Sequence, residues 1–386
     1  MQSIKLAELR PGTRFNKPVY IDGVNLLVPE NVPIKEKDIE RLKRWNIVEV
    51  TTEGTVIDEE SVSANASQSV LQSAVVGDSQ REVMNTYAKL ASRLAGVHSS
   101  VKRHQAVDPS EIDTIVDSLL TVLRADKNNM IQYILYGLQG ESGFVENALN
   151  CAALSILVGV NMNMVQHKLL HLATGSLLHD IGMLRLPESI VSKQSELSKE
   201  DRQTIATHPI HSYKIITREM KYPEEIGMIA LQHQERWDGE GYPKGLSGKD
   251  ILLTARIVAV SDSFEAMVSK RPYRNSMIGY AAMRAILSDN ARRFDPAVLK
   301  IFIRTMGIYP IGSVVLMSNS CIGRVVETNP EAPLRPQIKV MIDATGTEYK
   351  KDEGDIIDLM HEKKIFIARA VDPKDRLDKR AREGGG

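Results

Sequence analysis

VQHKLLHLATGSLLHDIG, residues 165–182, decides the fold. It reads as a strongly apolar helix that closes on a charged pair, His179-Asp180. A second such helix, VENALNCAALSILVGV (145–160), precedes it. Polar residues interrupt both too often for membrane spans. Helical patterns continue through SKEDRQTIATHPIHSYKIITREM (198–220), EEIGMIALQHQERW (224–237), ILLTARIVAVSDSFEAMVS (251–269) and MIGYAAMRAILSDN (277–290). Helices joined by short turns bury their apolar stripes against one another. Residues 140–306 are therefore expected to form one helical domain.

Upstream, REVMNTYAKLASRLAGV (81–97) and PSEIDTIVDSLLTVLRAD (109–126) carry apolar residues three and four apart. Asp108-Pro109-Ser110 makes a helix start before the second, and NNMIQYILYGL continues the pattern. Residues 61–139 read as a connecting helical region. Residues 1–60 read as a small α+β module, with a hairpin turn at Asp22-Gly23 and one short helix in KEKDIERLKRW. From Gly307 to residue 372, IGSVVLMS, IGRVVETN, IKVMID, DIIDLM and FIARAV read as strands of a small β-rich module. The last stretch, 373–386, reads as a flexible tail.

The whole chain of 386 residues carries 49 basic and 49 acidic side chains. A globally basic nucleic-acid binder is thereby excluded, and DNA is not an expected partner. Cys151 and Cys321 lie too far apart to suggest a disulfide framework or a zinc ribbon. The amino-terminal residues lack the apolar segment of a signal peptide, so a cytoplasmic protein without membrane association is expected.

Of nine histidines, His179, His208 and His233 stand out together with Asp180 and Asp262. Each lies near an otherwise apolar helix, where an unpaired charge is costly. Any one of them alone reads as a hydrogen-bonded structural residue. The ordered set HD…H…H…D in one helical region points to metal chemistry. Neighbouring helical side chains differ by about 100°, so His179 and Asp180 both reach a metal only if they project into a shared crevice. One carboxylate offers two oxygens, which suits Asp180 to bridging two ions. Mixed nitrogen and oxygen donors suit Mn, Fe or Zn.

The second sharp element is Asp238-Gly239-Glu240-Gly241-Tyr242-Pro243, followed by Lys244-Gly245-Leu246. So many glycines beside a proline define a shaped loop. It serves either as a plain turn or as a wall over the metal site, with Tyr242 offering a ring and a hydroxyl. Arg271 and Arg274, in Arg271-Pro272-Tyr273-Arg274, have the forked donors that hold phosphate oxygens.

LLHDIG, ATHP, HQERWDGEGYPKGLSG, ARIVAVSDSFEAM and KRPYR together resemble the HD-GYP family of the HD phosphohydrolase superfamily. The resemblance spans roughly residues 140–305. It implies a mainly α-helical HD-type domain and cyclic di-GMP phosphodiesterase activity. It further implies one or two divalent transition metal ions, Fe or Mn. His179 and Asp180 would supply the central metal ligands, with Asp180 bridging; His208 and His233 would bind the second metal, and Asp262 the first. Tyr242 would stand beside the ligand, and Arg271 and Arg274 would contact its phosphates. Asp238, Gly239, Gly241 and Pro243 would preserve the loop.

Four departures accompany the matches. Asn147 falls where the family has its first metal histidine, and Gly143 where three-metal members have a glutamate. Met183 replaces the lysine that follows the HD motif, and Gln234 replaces the second of paired histidines. Asn147 and Gln234 can offer carbonyl oxygens to a metal, but these are neutral and weaker donors. The reading is a weak or conditional phosphodiesterase giving pGpG, or GMP after a second cleavage. The alternative is a catalytically inactive cyclic di-GMP receptor acting through a signalling protein partner. Residues 81–125 read either as a face for a homodimer or as helices packing over the core of the helical domain.

Overall fold

The computed structural model describes residues 78–137, 143–193, 195–269, 278–288, 292–349 and 353–371, with a discontinuous set between 2 and 57. The chain divides into two units, Met1–Val75 and Val76–Gly386. The first holds strands β1 (Gln2–Lys5), β2 (Arg14–Phe15), β3 (Val19–Tyr20), β4 (Leu26–Val28), β5 (Glu49–Thr52) and β6 (Val56–Ile57). An antiparallel sheet runs β1-β5-β3-β4, and β2 pairs with β6. Alternation in β5 turns Val50 and Thr52 inward. There Ile4, Phe15, Val19, Ile34 and Leu42 complete a small core with Val50. Asp22-Gly23 and most of KEKDIERLKRW lie outside the described residues; Ile39 and Leu42 of that stretch are buried.

The second unit opens with α1 (Asp78–Lys102) and α2 (Pro109–Gln132). Asp108 caps α2: it stays extended at φ −75°, ψ 116° and accepts the Ser110 N–H at 2.9 Å. Pro109 occupies the first turn, where a missing N–H costs nothing. The stripe Ile112, Ile115, Val116, Leu119 and Leu123 is buried. Asp126 interrupts the helix at φ −153°, ψ 71°, and its carboxylate accepts the Asn129 N–H at 3.1 Å, capping the last segment anew.

α3 (Phe144–Asn161) is buried without a break from Asn147 to Gly159. A helix apolar on every face belongs at the centre of a core. By length and composition it could cross a membrane, but 72% of that window is buried inside the chain. After it come α4 (Gln166–Leu177), α5 (Glu188–Val191), α6 (Lys199–Ile205), α7 (His208–Lys214), α8 (Glu224–Gln232), α9 (Leu253–Val268), α10 (Gly279–Ser288) and α11 (Pro296–Met306). α1, α2, α4, α9 and α11 all pack on α3. One continuous core results, from Leu94 and Ile112 through Leu149 and Leu154 to Phe264 and Phe302.

α11 ends at Gly307, whose φ of 75° suits a residue without Cβ. Strands β7 (Val314–Met317), β8 (Ile322–Glu327), β9 (Gln337–Ile342), β10 (Ile356–Asp358) and β11 (Ile367–Val371) then form an antiparallel sheet in the order β10-β9-β8-β7-β11. Strict alternation in β9 sends Ile338 and Val340 into a core with Val315, Met317 and Leu359. The architecture is thus a mainly α-helical HD-type core, with a small β-containing module before it and a β-sheet module after it in sequence. The tail 373–386 lies outside the described residues.

Candidate metal centre

α4 stops at Leu177, and a 3-10 turn over Ile181–Arg185 follows. His179 and Asp180 therefore stand in a break between helices. Asp180 takes φ −101°, ψ 7°, the sparsely populated bridge region where active-site residues recur. This break, not a shared helix face, turns two successive side chains into one crevice. Gly182 permits it: a Cβ there would collide with His208 O and Ser212 N of α7. The Gly182 N–H is held by Ser212 Oγ at 2.8 Å.

His208 is the first residue of α7, His233 follows the last residue of α8, and Asp262 lies within α9. The histidines share one device. Nδ1 of each lies 2.7–2.8 Å from a carbonyl three residues back: Ser176 for His179, Ile205 for His208 and Ala230 for His233. Each ring thus donates from Nδ1 and leaves Nε2 for the crevice. Asp180 Oδ1 lies 3.1 Å from His208 Nε2 and 3.3 Å from His233 Nε2. His179 Nε2 is 3.6 Å from both Asp180 Oδ2 and Asp262 Oδ1. His208 and His233 bring their Nε2 atoms within 3.2 Å.

With the imidazoles unprotonated at Nε2, these atoms and the carboxylates are all acceptors. His179 Nε2 and Asp180 Oδ1 are buried without a hydrogen-bond partner. Two donors of one ion held at about 2.1 Å stand roughly 3.0–3.4 Å apart, so the observed spacings approach the edges of a coordination shell. Two overlapping sets result, His179/His233/Asp262 and Asp180/His208/His233, with ligand atoms of each within 4.8 Å of one another. The residues present fit a divalent metal.

The electrostatics agree. Burial pushes the His179 imidazole down, but the Asp180 and Asp262 carboxylates lift it to about 9. Burial would raise the Asp180 carboxyl; the neighbouring imidazoles hold it well below the ordinary range. Burial lowers His233. Negative charge is thus gathered where a cation would sit.

Behind the cluster lies a carboxylate that the sequence reading missed. Glu265, one turn beyond Asp262 on α9, is fully buried. Asn147 donates its Nδ2 to Glu265 Oε2, Asn150 reaches Oε1 at 3.2 Å, and Ser269 donates to the same oxygen. Asn147 is thereby oriented by Glu265, and its Oδ1 is left buried without a hydrogen-bond partner. Glu265 could have been singled out by the same cost argument as Asp262, since it sits in the same apolar helix.

The DGEGYP loop is built from hydrogen bonds. Asp238 takes a bidentate pair from Arg236, at 3.0 and 2.6 Å, and the Glu240 N–H at 3.2 Å. Gly239 has φ 83°, and a Cβ on Gly241 would meet the backbone of Glu235 and Arg236. Glu235, 4% exposed, accepts the N–H groups of Lys244 at 2.7 Å and Leu246 at 2.9 Å. The Tyr242–Pro243 peptide is cis. Tyr242 lies edge-on to His208, ring centroids 6.2 Å apart. Burial and the Asp180 and Asp262 carboxylates push its hydroxyl up, so it remains a donor. A cavity of about 270 Å³ opens here, lined by His233, Gln234, Tyr242, Asp262, Ser263 and Arg293 among others.

Arg271 and Arg274 lie outside the described residues. Met183 sits in the 3-10 turn, and Arg185 of that turn pairs with Glu219 at 2.6 Å.

Residues 139–298 match the family model described as HD domain, and 314–379 the one described as KOW domain associated with HD domain. The chain is 26% identical over 339 residues to the cyclic di-GMP phosphodiesterase PdeB of Borreliella burgdorferi, covering 88% of this chain and 87% of that protein. It is 28% identical over 320 residues to a cyclic di-GMP phosphodiesterase of Pseudomonas aeruginosa, covering 80% and 77%. A cyclic di-GMP phosphodiesterase of Thermotoga maritima is 40% identical over 128 residues, 33% of this chain and 35% of that protein. Residues 139–298, with their buried His/Asp cluster, are therefore an HD-superfamily phosphohydrolase domain related at low identity to cyclic di-GMP phosphodiesterases.

Proposed function

We propose that the chain is a metal-dependent cyclic di-GMP phosphodiesterase of the HD-GYP type, yielding pGpG and, after a second cleavage, GMP. One observation carries this reading: three imidazoles fixed through Nδ1 converge with the Asp180 and Asp262 carboxylates on one crevice, beside a cavity walled by Tyr242. His179 and Asp262 would hold a first Fe or Mn ion, His208 and His233 a second, with Asp180 between them. Held by these residues, a metal would supply Lewis acidity toward water and toward the non-bridging phosphate oxygens. The protein's own part is placement. The backbone carbonyls fix the imidazoles, Tyr242 excludes water and presents a hydroxyl, and Arg271 and Arg274 neutralise phosphate. Asn147 and Gln234 are the weak positions of this set, as neutral amides.

A second reading has specific support. Asn147 is bonded to Glu265, and Met183 offers no charge, which fits a chain that keeps the ligand pocket without turnover. In that case it acts as a cyclic di-GMP receptor that reports to a protein partner.

Turnover separates the two. Purified protein is incubated anaerobically with Mn or Fe and cyclic di-GMP, and the products are resolved by chromatography. The first reading expects pGpG or GMP, abolished by Asp180→Ala. Binding without product supports the second.

A further inference from the structure

The phosphate-binding lysine position after the HD motif is Met183, and the cation two residues on, Arg185, is engaged with Glu219. Two arginines line the cavity beside the metal cluster, Arg236 and Arg293. Arg236 is held by Asp238 and Glu240. Among the described residues Arg293 makes no ion pair.

Arg293 is nevertheless fixed. Its carbonyl accepts the Trp237 N–H at 2.9 Å, which ties it to the segment that begins the DGEGYP loop. Next to it Phe294 is buried. Then Asp295 caps α11 through the Ala297 N–H at 2.8 Å and takes Arg256 Nη1 at 2.6 Å. Arg256 in turn lies 5.5 Å from the Trp237 ring. The Arg293 guanidinium sits 5.2 Å from the Phe294 ring centroid. A planar cation held at the rim of a cavity that also contains His233 and Asp262 is placed for an anionic ligand.

We propose that Arg293 binds a phosphate oxygen of the cyclic dinucleotide, supplying from the α11 side the fixed cation absent at Met183. This rests on the cyclic di-GMP reading above. Arg293 is a substrate-binding residue in this account, and it contributes equally whether the bound nucleotide is cut or only held.

Equilibrium titrations of Mn-supplemented protein test it, with a cleavage-resistant phosphorothioate analogue of cyclic di-GMP in one arm and inorganic phosphate in the other. The parent is compared with Arg293→Ala, Arg293→Gln and Arg293→Lys, with metal content and Tm measured on each. Loss of a charge-assisted contact is expected to weaken both ligands about ten-fold in Arg293→Ala and Arg293→Gln. Arg293→Lys recovers part of the loss, and the salt dependence of binding becomes shallower when the cation is removed. Metal content and Tm stay at parental values. Coincident curves for parent and variants in both arms overturn the role of Arg293 and leave the cyclic di-GMP reading intact if the parent binds it. Phosphate binding that depends on Arg293, without nucleotide binding, supports the anion role and overturns the substrate. A parent that binds neither overturns both.

Discussion

Replacing Glu235 by glutamine tests how the site wall is held. Both carboxylate oxygens are engaged, Oε1 by Lys244 N at 2.7 Å and Oε2 by Leu246 N at 2.9 Å, at a residue 4% exposed. Glutamine keeps one acceptor and turns an NH₂ group on the other backbone N–H. A hydrogen bond to a charged group contributes about 1.5–3 kcal/mol, and a stranded buried donor costs roughly 1–3 kcal/mol. The expected loss is therefore about 2.5–6 kcal/mol, limited by the free energy at which the loop opens locally. At 1.36 kcal/mol per decade, 3 kcal/mol is roughly a hundred-fold fall in amide protection. Hydrogen exchange should show it at Lys244 and Leu246. Transmitted to the whole helical unit, the same loss would lower Tm by roughly 6–12 °C. Unchanged protection at both amides together with an unchanged Tm would refute the reasoning.

Other outcomes follow from the same geometry. Restoring imidazoles with Asn147→His and Gln234→His should raise Mn or Fe occupancy, measured by elemental analysis; equal occupancy contradicts their place as weakened ligand positions. In the C-terminal module, hydrogen bonds from Thr345, Thr347 and Tyr349 hold the Asp343 carboxyl down to about 2. Because the folded value lies below the unfolded one, near 3.9, this turn's contribution is complete above the unfolded value and is lost as pH falls through about 2. An NMR titration of Asp343 with its midpoint at the ordinary carboxylate value would contradict that.

Much of the fold was legible because local chemistry and burial agree. Asp108-Pro109 caps α2 as its residue types demand, and the apolar runs near residues 145–160 and 165–177 become α3 and α4. The strands expected after Gly307 appear as β7 to β11, since short branched runs between turns have few other stable arrangements. The break at Asp126 was not legible. LRADKNN carries no glycine or proline, and the kink depends on where a carboxylate finds the Asn129 N–H.

At the site, His179, Asp180, His208, His233 and Asp262 come together, and all five stood out in the sequence. What the order did not contain was direction. No residue type announces that α4 stops at Leu177, yet this stop aims both His179 and Asp180 inward. The carbonyls that select Nε2 are backbone atoms and leave no trace in side-chain identity. Glu265 and Arg293 also went unnoticed. Glu265 acts through Asn147, and Arg293 carries no motif beyond its place before the Phe294-Asp295-Pro296 helix start. Their roles arise from long-range packing.

The central claim is that the cluster around Asp180 is a metal centre, and metal content tests it most directly. Protein prepared anaerobically with Mn or Fe is freed of loose metal and analysed beside the double variant His179→Ala plus Asp180→Ala, with folding of both checked by circular dichroism. The account predicts that the parent retains one or two ions and the folded double variant loses most of them. Equal metal content in the two proteins, or a parent that retains none, contradicts it.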